Sequence, residues 1–299
     1  MTPGTDALEQ RDDGLRVFDA VRPRLFGIAY RMLGSVAEAE DIVQSAWLRW
    51  QVTDRGAVVD ADAFLVTVTT RLAINQAKSA RVQREHYAGV WLPEPIDTST
   101  DPCVGAERAE GLELAVLMLL EKLAPTERAA YVLREAFDYP YDRIAEVLRL
   151  TTVNARQLVS RARQHITNGR QMTAGADEHH RLLLAFVAAA RKGDASALED
   201  LFAADVASYA DGGGVVRAAK VPVVGRVRVA KFIAAIAEHF WTGMAVRWIE
   251  ANGLPAVALL RGDAVVAVAT VMVSAGRIDR LLWVMRPSKL EGVARTLAG

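Results

Sequence analysis

The chain has 299 residues, 52% of them apolar, which is enough for two or three buried cores. Its 36 basic residues equal its 36 acidic ones, so no global charge bias draws it to nucleic acid, and the single cysteine, Cys103, excludes an internal disulfide or a cysteine-based zinc cluster. The polar, acidic start MTPGTDALEQRDDG has no apolar signal core and no apolar run reaches the roughly eighteen residues of a membrane span, so a cytoplasmic chain without a membrane partner is expected.

Helical periodicity governs the first 170 residues. A first helix over 18–33 places Phe18, Val21, Leu25, Ile28, Ala29 and Met32 on one stripe, and Gly34 suits the residue just past its end. Ser35, with Glu38 three residues on, has the pattern of a helix N-cap and opens a second helix to about Trp50. That helix carries Glu38, Glu40 and Asp41 in front, where acids complement the helix dipole, and Trp47 and Trp50 behind. A third helix over 61–86 packs on Phe64, Leu65, Val68, Leu72 and Ile74 and sets Arg71, Asn75, Lys78, Arg81 and Arg84 on or near one polar side. The run WLPEP at 91–95 forbids a helix, because its two prolines are nearly adjacent, and the Asp/Thr/Ser/Pro-rich stretch to Gly105 reads as an extended or mobile linker. Helices resume over 106–123 and 125–137.

The segment YDRIAEVLRLTTVNARQLVSRARQH at 141–165 is the most informative. Ile144, Ala145, Val147 and Leu148 form one buried stripe, Leu150 closes a turn, and Thr151 and Thr152 offer a cap for a second helix. Along that helix Ala155, Leu158, Val159 and Ala162 face inward, and Asn154, Arg156, Gln157, Ser160, Arg161 and Arg163 face outward. The outward set has base-reading chemistry, since arginine grips guanine and Asn or Gln grips adenine, each contact worth about 1–3 kcal/mol of discrimination. A solvated basic helix is the plainer alternative. Charge is locally patterned: 67–86 holds four basic residues against one acidic and 122–170 nine against five, whereas 94–113 between them holds one against six. Two basic patches flank an acidic connector, and such patches attract phosphate whatever the net charge.

Beyond Gly175 helices are expected over 179–192, 195–202 and 228–240, then strands over 245–250, 256–261, 264–273 and 277–285. The turns fall at Asn252-Gly253, Gly262-Asp263 and Ala275-Gly276, which makes a separate α+β domain with an antiparallel sheet. His179 and His180 stand at a helix start and read as solvated.

The order of acidic helix, basic helix, acidic linker and helix-turn-helix resembles the bacterial extracytoplasmic-function sigma factors, group IV of the sigma-70 family. The resemblance rests on AEAEDIVQSAWLRW for region 2 and on LAPTERAAYVLREAFDYPYDRIAEVLRLTTVNARQLVSRARQHI for region 4, and it covers 18–166. It implies a promoter-selecting partner of core RNA polymerase. Glu40, Asp41, Gln44 and Trp47 would dock polymerase; Arg71, Asn75, Lys78, Arg81 and Arg84 would open and hold the minus-ten element; Asn154, Arg156, Gln157, Ser160, Arg161 and Arg163 would read the minus-thirty-five element. Leu123-Ala124-Pro125 stands for the family's Leu-Pro, and Leu150-Thr151-Thr152 replaces its usual Gly-x-Ser turn.

The C-terminal part resembles the SnoaL-like, cone-shaped α+β barrels, so the fold class is multidomain: all-α regions 2 and 4, then this barrel. The expected boundaries are 1–90 for region 2, 91–118 for the linker, 119–170 for region 4 and 171–299 for the SnoaL-like domain. A subgroup of sigma factors with such an extension carries WLPEP, DGGG and NPDKL motifs. Here the first two are intact, at 91–95 and 211–214, and Arg286-Pro287-Ser288-Lys289-Leu290 stands in the third place. The resemblance implies a fused regulator replacing a separate anti-sigma factor, with Trp91, Pro93, Asp211, Gly212, Gly213 and Gly214 as regulatory contacts; a plain hairpin is the alternative for the glycines. Catalysis in the barrel would need Asp211, Glu238, His239 or Glu250 in an apolar pocket. No catalytic residue, metal or cofactor is expected, and a small molecule in the barrel is a further candidate partner. The rival readings are a small-molecule enzyme or sensor with an accessory DNA-binding domain, and a repressor.

Overall fold

A computed structural model describes residues 3–99, 112–169 and 175–298, so Cys103 and most of the acidic connector lie outside the described residues. Of these, 3–82 and 119–166 form one compact unit, and 83–99, 112–118, 167–169 and 175–298 form another.

The first unit is helical. Helix α1 (Pro3–Leu33) starts well before the expected Phe18, and α2 (Val36–Val52) and α3 (Ala61–Glu85) follow. The boundary between α1 and α2 has the chemistry its residues suggest: Gly34 sits at φ 65°, and the Ser35 hydroxyl accepts from the Glu38 amide at 3.4 Å. Leu25, Ile28, Ala29 and Met32 of α1 are buried with Ala39, Val43 and Ala46 of α2. Trp50 is buried and donates its indole N–H to the Gly14 carbonyl at 2.9 Å.

Helix α4 (Leu114–Glu121) is divided between the two units at Met118, and α5 (Pro125–Tyr131) leads into a π-turn over Val132–Ala136, where one unbroken helix was expected. Helix α5 is anchored by the nearly buried Arg128, whose guanidinium donates to the Met32 carbonyl and pairs with Glu121 at 2.9 Å. Helix α6 (Tyr141–Leu148) buries Ile144, Ala145 and Val147, and α7 (Thr152–Gly169) buries Ala155, Val159, Ala162 and Ile166 at helical spacing. Thr151 is the cap, accepting from the Asn154 amide at 3.2 Å. The turn between them is closed by Arg149 at φ 56°, ψ 50°, with the Leu150 amide donating back to the Ala145 carbonyl at 2.8 Å. Here a side-chain-bearing residue takes the left-handed position that glycine takes at no steric cost.

The second unit sets α8 (Ala176–Lys192), α9 (Ala195–Leu201) and α10 (Arg226–Trp241) with a six-stranded sheet. The strands are β1 (Phe202–Asp211), β2 (Val223–Val224), β3 (Met244–Ala251), β4 (Leu254–Arg261), β5 (Ala264–Ser274) and β6 (Arg277–Val284), in the order β2-β1-β6-β5-β4-β3; α11 (Glu291–Ala298) ends the described chain. The antiparallel expectation is corrected: β1 runs parallel to β6, so the sheet is mixed. Strand β1, FAADVASYAD, is rich in alanine and aspartate, which are depleted in strands, and its pairing with β6 and β2 and its buried Phe202, Val206 and Ala207 hold it extended. The hairpins at Asn252-Gly253 and Ala275-Gly276 have both central residues at positive φ, as tight two-residue turns require. His179 is also corrected: it is fully buried, its Nε2 lies 2.5 Å from the Val271 carbonyl, and burial pushes its pKa down, while His180 is exposed.

Relief of the left-handed strain sets a direct test. Arg149→Gly should raise the stability of the first unit by about 1 kcal/mol in urea unfolding, offset only in part by the freer unfolded glycine. A loss of stability would mean that the Arg149 side chain makes up for its backbone.

Candidate nucleic-acid and polymerase interfaces

On α2, Asp41 and Gln44 are exposed, and Glu40 and Trp47 are half-buried. Glu40 pairs with Arg22 at 2.7 Å, and the Trp47 ring lies 4.9 Å from that of Phe18, so these two are held in place and Asp41 and Gln44 are presented to solvent. Leu48, which the sequence did not single out, is 55% exposed one helical turn beyond Gln44 and gives this face an apolar centre.

The polar side of α3 divides. Asn75, Lys78 and Arg81 are exposed, at steps of three residues, with Val82 exposed beside them. Arg71 is instead turned to protein: its guanidinium donates to the carbonyls of Val147 at 2.9 Å and Glu146 at 3.2 Å, at the end of α6. Burial and the neighbouring Arg149 lower its pKa. Arg84 belongs with the second unit, where its guanidinium lies 3.7 Å from the centroid of Trp91.

On α7 all six outward residues, Asn154, Arg156, Gln157, Ser160, Arg161 and Arg163, are exposed, opposite the buried Ala155, Val159, Ala162 and Ile166. Arg163 is braced by Glu135, which accepts from Nε at 3.0 Å and from an Nη at 2.7 Å, and these bonds raise its pKa. The Arg156 guanidinium lies 5.4 Å from the Tyr141 ring centroid. The helix therefore offers a row of amide, hydroxyl and guanidinium groups with an apolar back, the form a major-groove helix takes.

In the second unit the WLPEP segment is bound rather than loose. Leu92, Pro93, Glu94 and Pro95 are buried, Asp97 bridges to Ala251, and the Thr98 amide donates to the Glu250 carbonyl at 2.9 Å, so residues 96–98 cover the outer edge of β3. Asn252, at the β3–β4 turn, accepts from the Ile96 amide and donates to the Leu112 carbonyl, both at 3.0 Å.

The centre of this strap is Asp211, which is fully buried. Its Oδ1 accepts from the Tyr87 hydroxyl at 2.6 Å and the Gly213 amide at 3.0 Å; its Oδ2 accepts from the Leu92 amide at 3.0 Å and the Lys289 ammonium at 2.7 Å. Lys289 also donates to the Leu92 carbonyl and lies 4.4 Å from the Trp91 ring centroid. Arg286 donates to the Tyr87 hydroxyl at 3.2 Å. The glycines are needed for close approach: a Cβ on Gly212 would stand 2.3 Å from the Val216 carbonyl oxygen, and Gly213 has φ 60° with Arg286 packed where a side chain would go. Tyr87, Arg286 and Lys289 were missed as strap contacts. The signal was the lysine retained in the terminal RPSKL motif, together with an aromatic just before WLPEP.

Of the catalytic candidates, Asp211 is consumed by the strap and Glu250 accepts from the Thr98 hydroxyl at 2.7 Å. Glu238 is exposed at the end of α10. Between α10 and the sheet lies an apolar chamber of about 90 Å³, walled by Ile233, Trp241, Trp283 and Met285. It adjoins a cleft of about 910 Å³ whose ionisable lining side chains are Arg217, Arg261 and His239, so no carboxylate faces it among the described residues. No cluster of metal-ligating side chains occurs among the described residues, and no helix there is long and apolar enough to cross a membrane.

Burial pushes Lys289 down to about 8 against the pull of Asp211, from an ordinary 10.5. Between these values the unfolded chain binds the proton more tightly than the folded one, so the lysine's contribution to stability rises with pH. Lys289→Met should cost about 3 kcal/mol near neutral pH, because it leaves a buried carboxylate without its cation, and the deficit relative to wild type should grow as pH is raised from 8 to 10. A deficit that shrinks over that window would show that the charged lysine is net stabilising.

The Sigma-70 region 2 family matches residues 17–82, and the Sigma-70 region 4 family matches residues 113–166. The chain is 38% identical over 232 residues to the ECF RNA polymerase sigma factor SigJ of Mycobacterium tuberculosis, covering 76% of this chain and 74% of that one. It is 31% identical over 297 residues to the probable ECF RNA polymerase sigma factor SigI of the same organism, covering 98% of this chain and all of the relative. The crystal structure of the Mycobacterium tuberculosis extracytoplasmic-function sigma factor SigJ superposes with a TM-score of 0.75 at 32% identity, over 93% of this chain and 98% of that one. A helix with an exposed acidic and apolar face, a basic helix, a helix-turn-helix with a base-reading row and full-length similarity together lead to one conclusion: the chain belongs to the extracytoplasmic-function sigma factors of RNA polymerase, and it is not an enzyme.

Proposed function

We propose that this sigma factor docks core polymerase through Asp41, Gln44, Trp47 and Leu48 of α2, holds the melted minus-ten strand on Asn75, Lys78 and Arg81 of α3, and reads the minus-thirty-five element with α7. We further propose that the C-terminal unit, taken as a SnoaL-like domain on its helices and mixed sheet, modulates that activity through the WLPEP strap, doing the work of a separate anti-sigma factor. The observation that carries the DNA reading is the row of six exposed polar side chains on α7 over a fully apolar back. The exposed Asn75, Lys78 and Arg81 suit a single strand, whose splayed bases take hydrogen bonds while cations track the backbone. Arg71, Arg84 and Arg163 support the reading only after release from Val147, Trp91 and Glu135. The work is cytoplasmic, where polymerase and promoter are.

The modulating role is supported by the strap itself. A segment that leads from region 2 is clasped by a buried ion pair in the C-terminal unit, so any event that loosens Asp211 or Lys289 releases the 87–92 part of the chain between regions 2 and 4.

Two experiments test the reading. Asp41→Arg combined with Trp47→Ala should abolish co-elution with core polymerase, while the far-ultraviolet dichroism stays that of a folded chain; retained co-elution would move the docking surface elsewhere. Asn75→Ala should reduce permanganate reactivity of the melted minus-ten strand about tenfold while leaving closed-complex formation unchanged, as the loss of one well-placed base contact would. Unchanged reactivity would contradict a single-strand role for α3.

A further inference from the structure

The apolar cleft between α10 and the sheet is a feature of the second unit that promoter recognition does not use. Its inner chamber is lined by aromatic side chains, including Phe240, Trp241 and Trp283, and Phe232 at its mouth is 39% exposed. A chamber of this kind gains from any apolar guest, at roughly 25 cal/mol for each Å² removed from water. The outer cleft, about 910 Å³, has room for a small organic molecule. Its ionisable groups are of one kind: Arg217 and Arg261 are exposed at the rim beside His239, no acid lines the cleft, and neither arginine pairs with an acid among the described residues. Polar groups at the mouth that are all cationic or basic, around an apolar interior, favour a guest with a greasy body and one anionic end.

The cleft and the strap are also built from the same two segments. Arg217, Ala218 and Ala219 belong to the loop that leaves Asp211-Gly212-Gly213-Gly214, and Met285, Pro287 and Leu290 bracket Arg286 and Lys289. The Met285 amide donates to the Asp211 carbonyl at 2.8 Å, and a Cβ on Gly212 would stand 2.9 Å from that of Ala218. The wall of the cleft thus shares its backbone with the groups that clasp Leu92.

We propose that this cleft binds an amphiphilic organic anion, an apolar ring or chain bearing one carboxylate or equivalent acid, and that its occupancy changes the hold of Asp211 and Lys289 on the 87–95 strap. This deepens the modulating role assigned above to the C-terminal unit and rests on it for its consequence, though not for the binding. A guest reaching the inner chamber presses on Met285 and the 217–219 loop, and its acid pairs with Arg217. The ligand thus acts through differential affinity for the clasped and unclasped strap.

The test uses the full chain and two dyes that differ by a single sulfonate group, 8-anilinonaphthalene-1-sulfonate and the uncharged N-phenyl-1-naphthylamine. Saturable binding of one equivalent is expected, with the sulfonate about fivefold tighter; Arg217→Ala should remove that preference and leave the uncharged dye unchanged. Filling the chamber with Ile236→Trp, or the mouth with Ala219→Phe if the first fails to fold, should weaken both dyes about tenfold or more. Undiminished binding in a folded filled variant, or an Arg217→Ala loss shared equally by both dyes, would overturn the site. Hydrogen–deuterium exchange of residues 87–95 should change at least about twofold on saturation with the sulfonate, and unchanged exchange in a chain that binds it would overturn the coupling. Neither result depends on polymerase, so promoter-dependent transcription by the same preparation shows separately whether the sigma reading stands.

Discussion

A carboxylate taken fully out of water costs several kcal/mol unless each of its oxygens is answered, and Asp211 is such a carboxylate. Four donors answer it, from Tyr87, Leu92, Gly213 and Lys289, and they come from three stretches of chain far apart in sequence. The rest of the second unit's surface follows from that demand. The glycines after Asp211 let the turn close on its own amide, Lys289 is drawn into the interior, and Trp91 receives two cations on its ring, Arg84 and Lys289. The 96–98 stretch then lies along β3 and closes an edge that would otherwise expose unpaired backbone groups. A buried ion pair is weak as net stabilisation but unforgiving of a missing partner, which makes it suited to a clasp with two states.

The first unit follows another logic, in which cations are sorted by whether protein has already claimed them. Arg128 is spent on structure, tying α5 to the end of α1 and to Glu121. Arg71 and Arg163 are engaged, by the carbonyls at the end of α6 and by Glu135, and are available to DNA only on release. Asn75, Lys78, Arg81, Arg156 and Arg161 stand exposed. A neutral chain can thus present two basic faces, because acids such as Glu135 hold an arginine in place and others are gathered on α2 and in the connector.

Much of this was legible in the sequence. Ser35 with Gly34 marks the α1–α2 corner, the spacing of Ala155, Val159 and Ala162 fixes which side of α7 faces out, and Asn252-Gly253 and Ala275-Gly276 give the hairpins of the sheet. These are local signals, set by capping, period and turn chemistry. Strand β1 escaped because alanine and aspartate do not favour strands and its extended form comes from pairing with a strand about 70 residues later. Arg149 escaped because nothing in its side chain announces a left-handed backbone. His179 was misjudged because a helix-start histidine looks solvated until the carbonyl of Val271 is seen beside it. For the strap, WLPEP and DGGG drew attention to Trp91 and Asp211, but what joins them is Lys289, whose burial depends on partners contributed by two separate segments, 87–92 and Asp211.

Regulation through the clasp requires that loosening it change initiation. The most direct measurement is run-off transcription with core RNA polymerase on a promoter template, comparing no added chain, wild type and Lys289→Met. The account predicts a promoter-specific transcript only when the chain is present, and a change of about threefold or more in its amount when the clasp is broken, a modest coupling of about 0.7 kcal/mol. No transcript with either chain would contradict the sigma assignment, and equal transcript from both would contradict control by the strap.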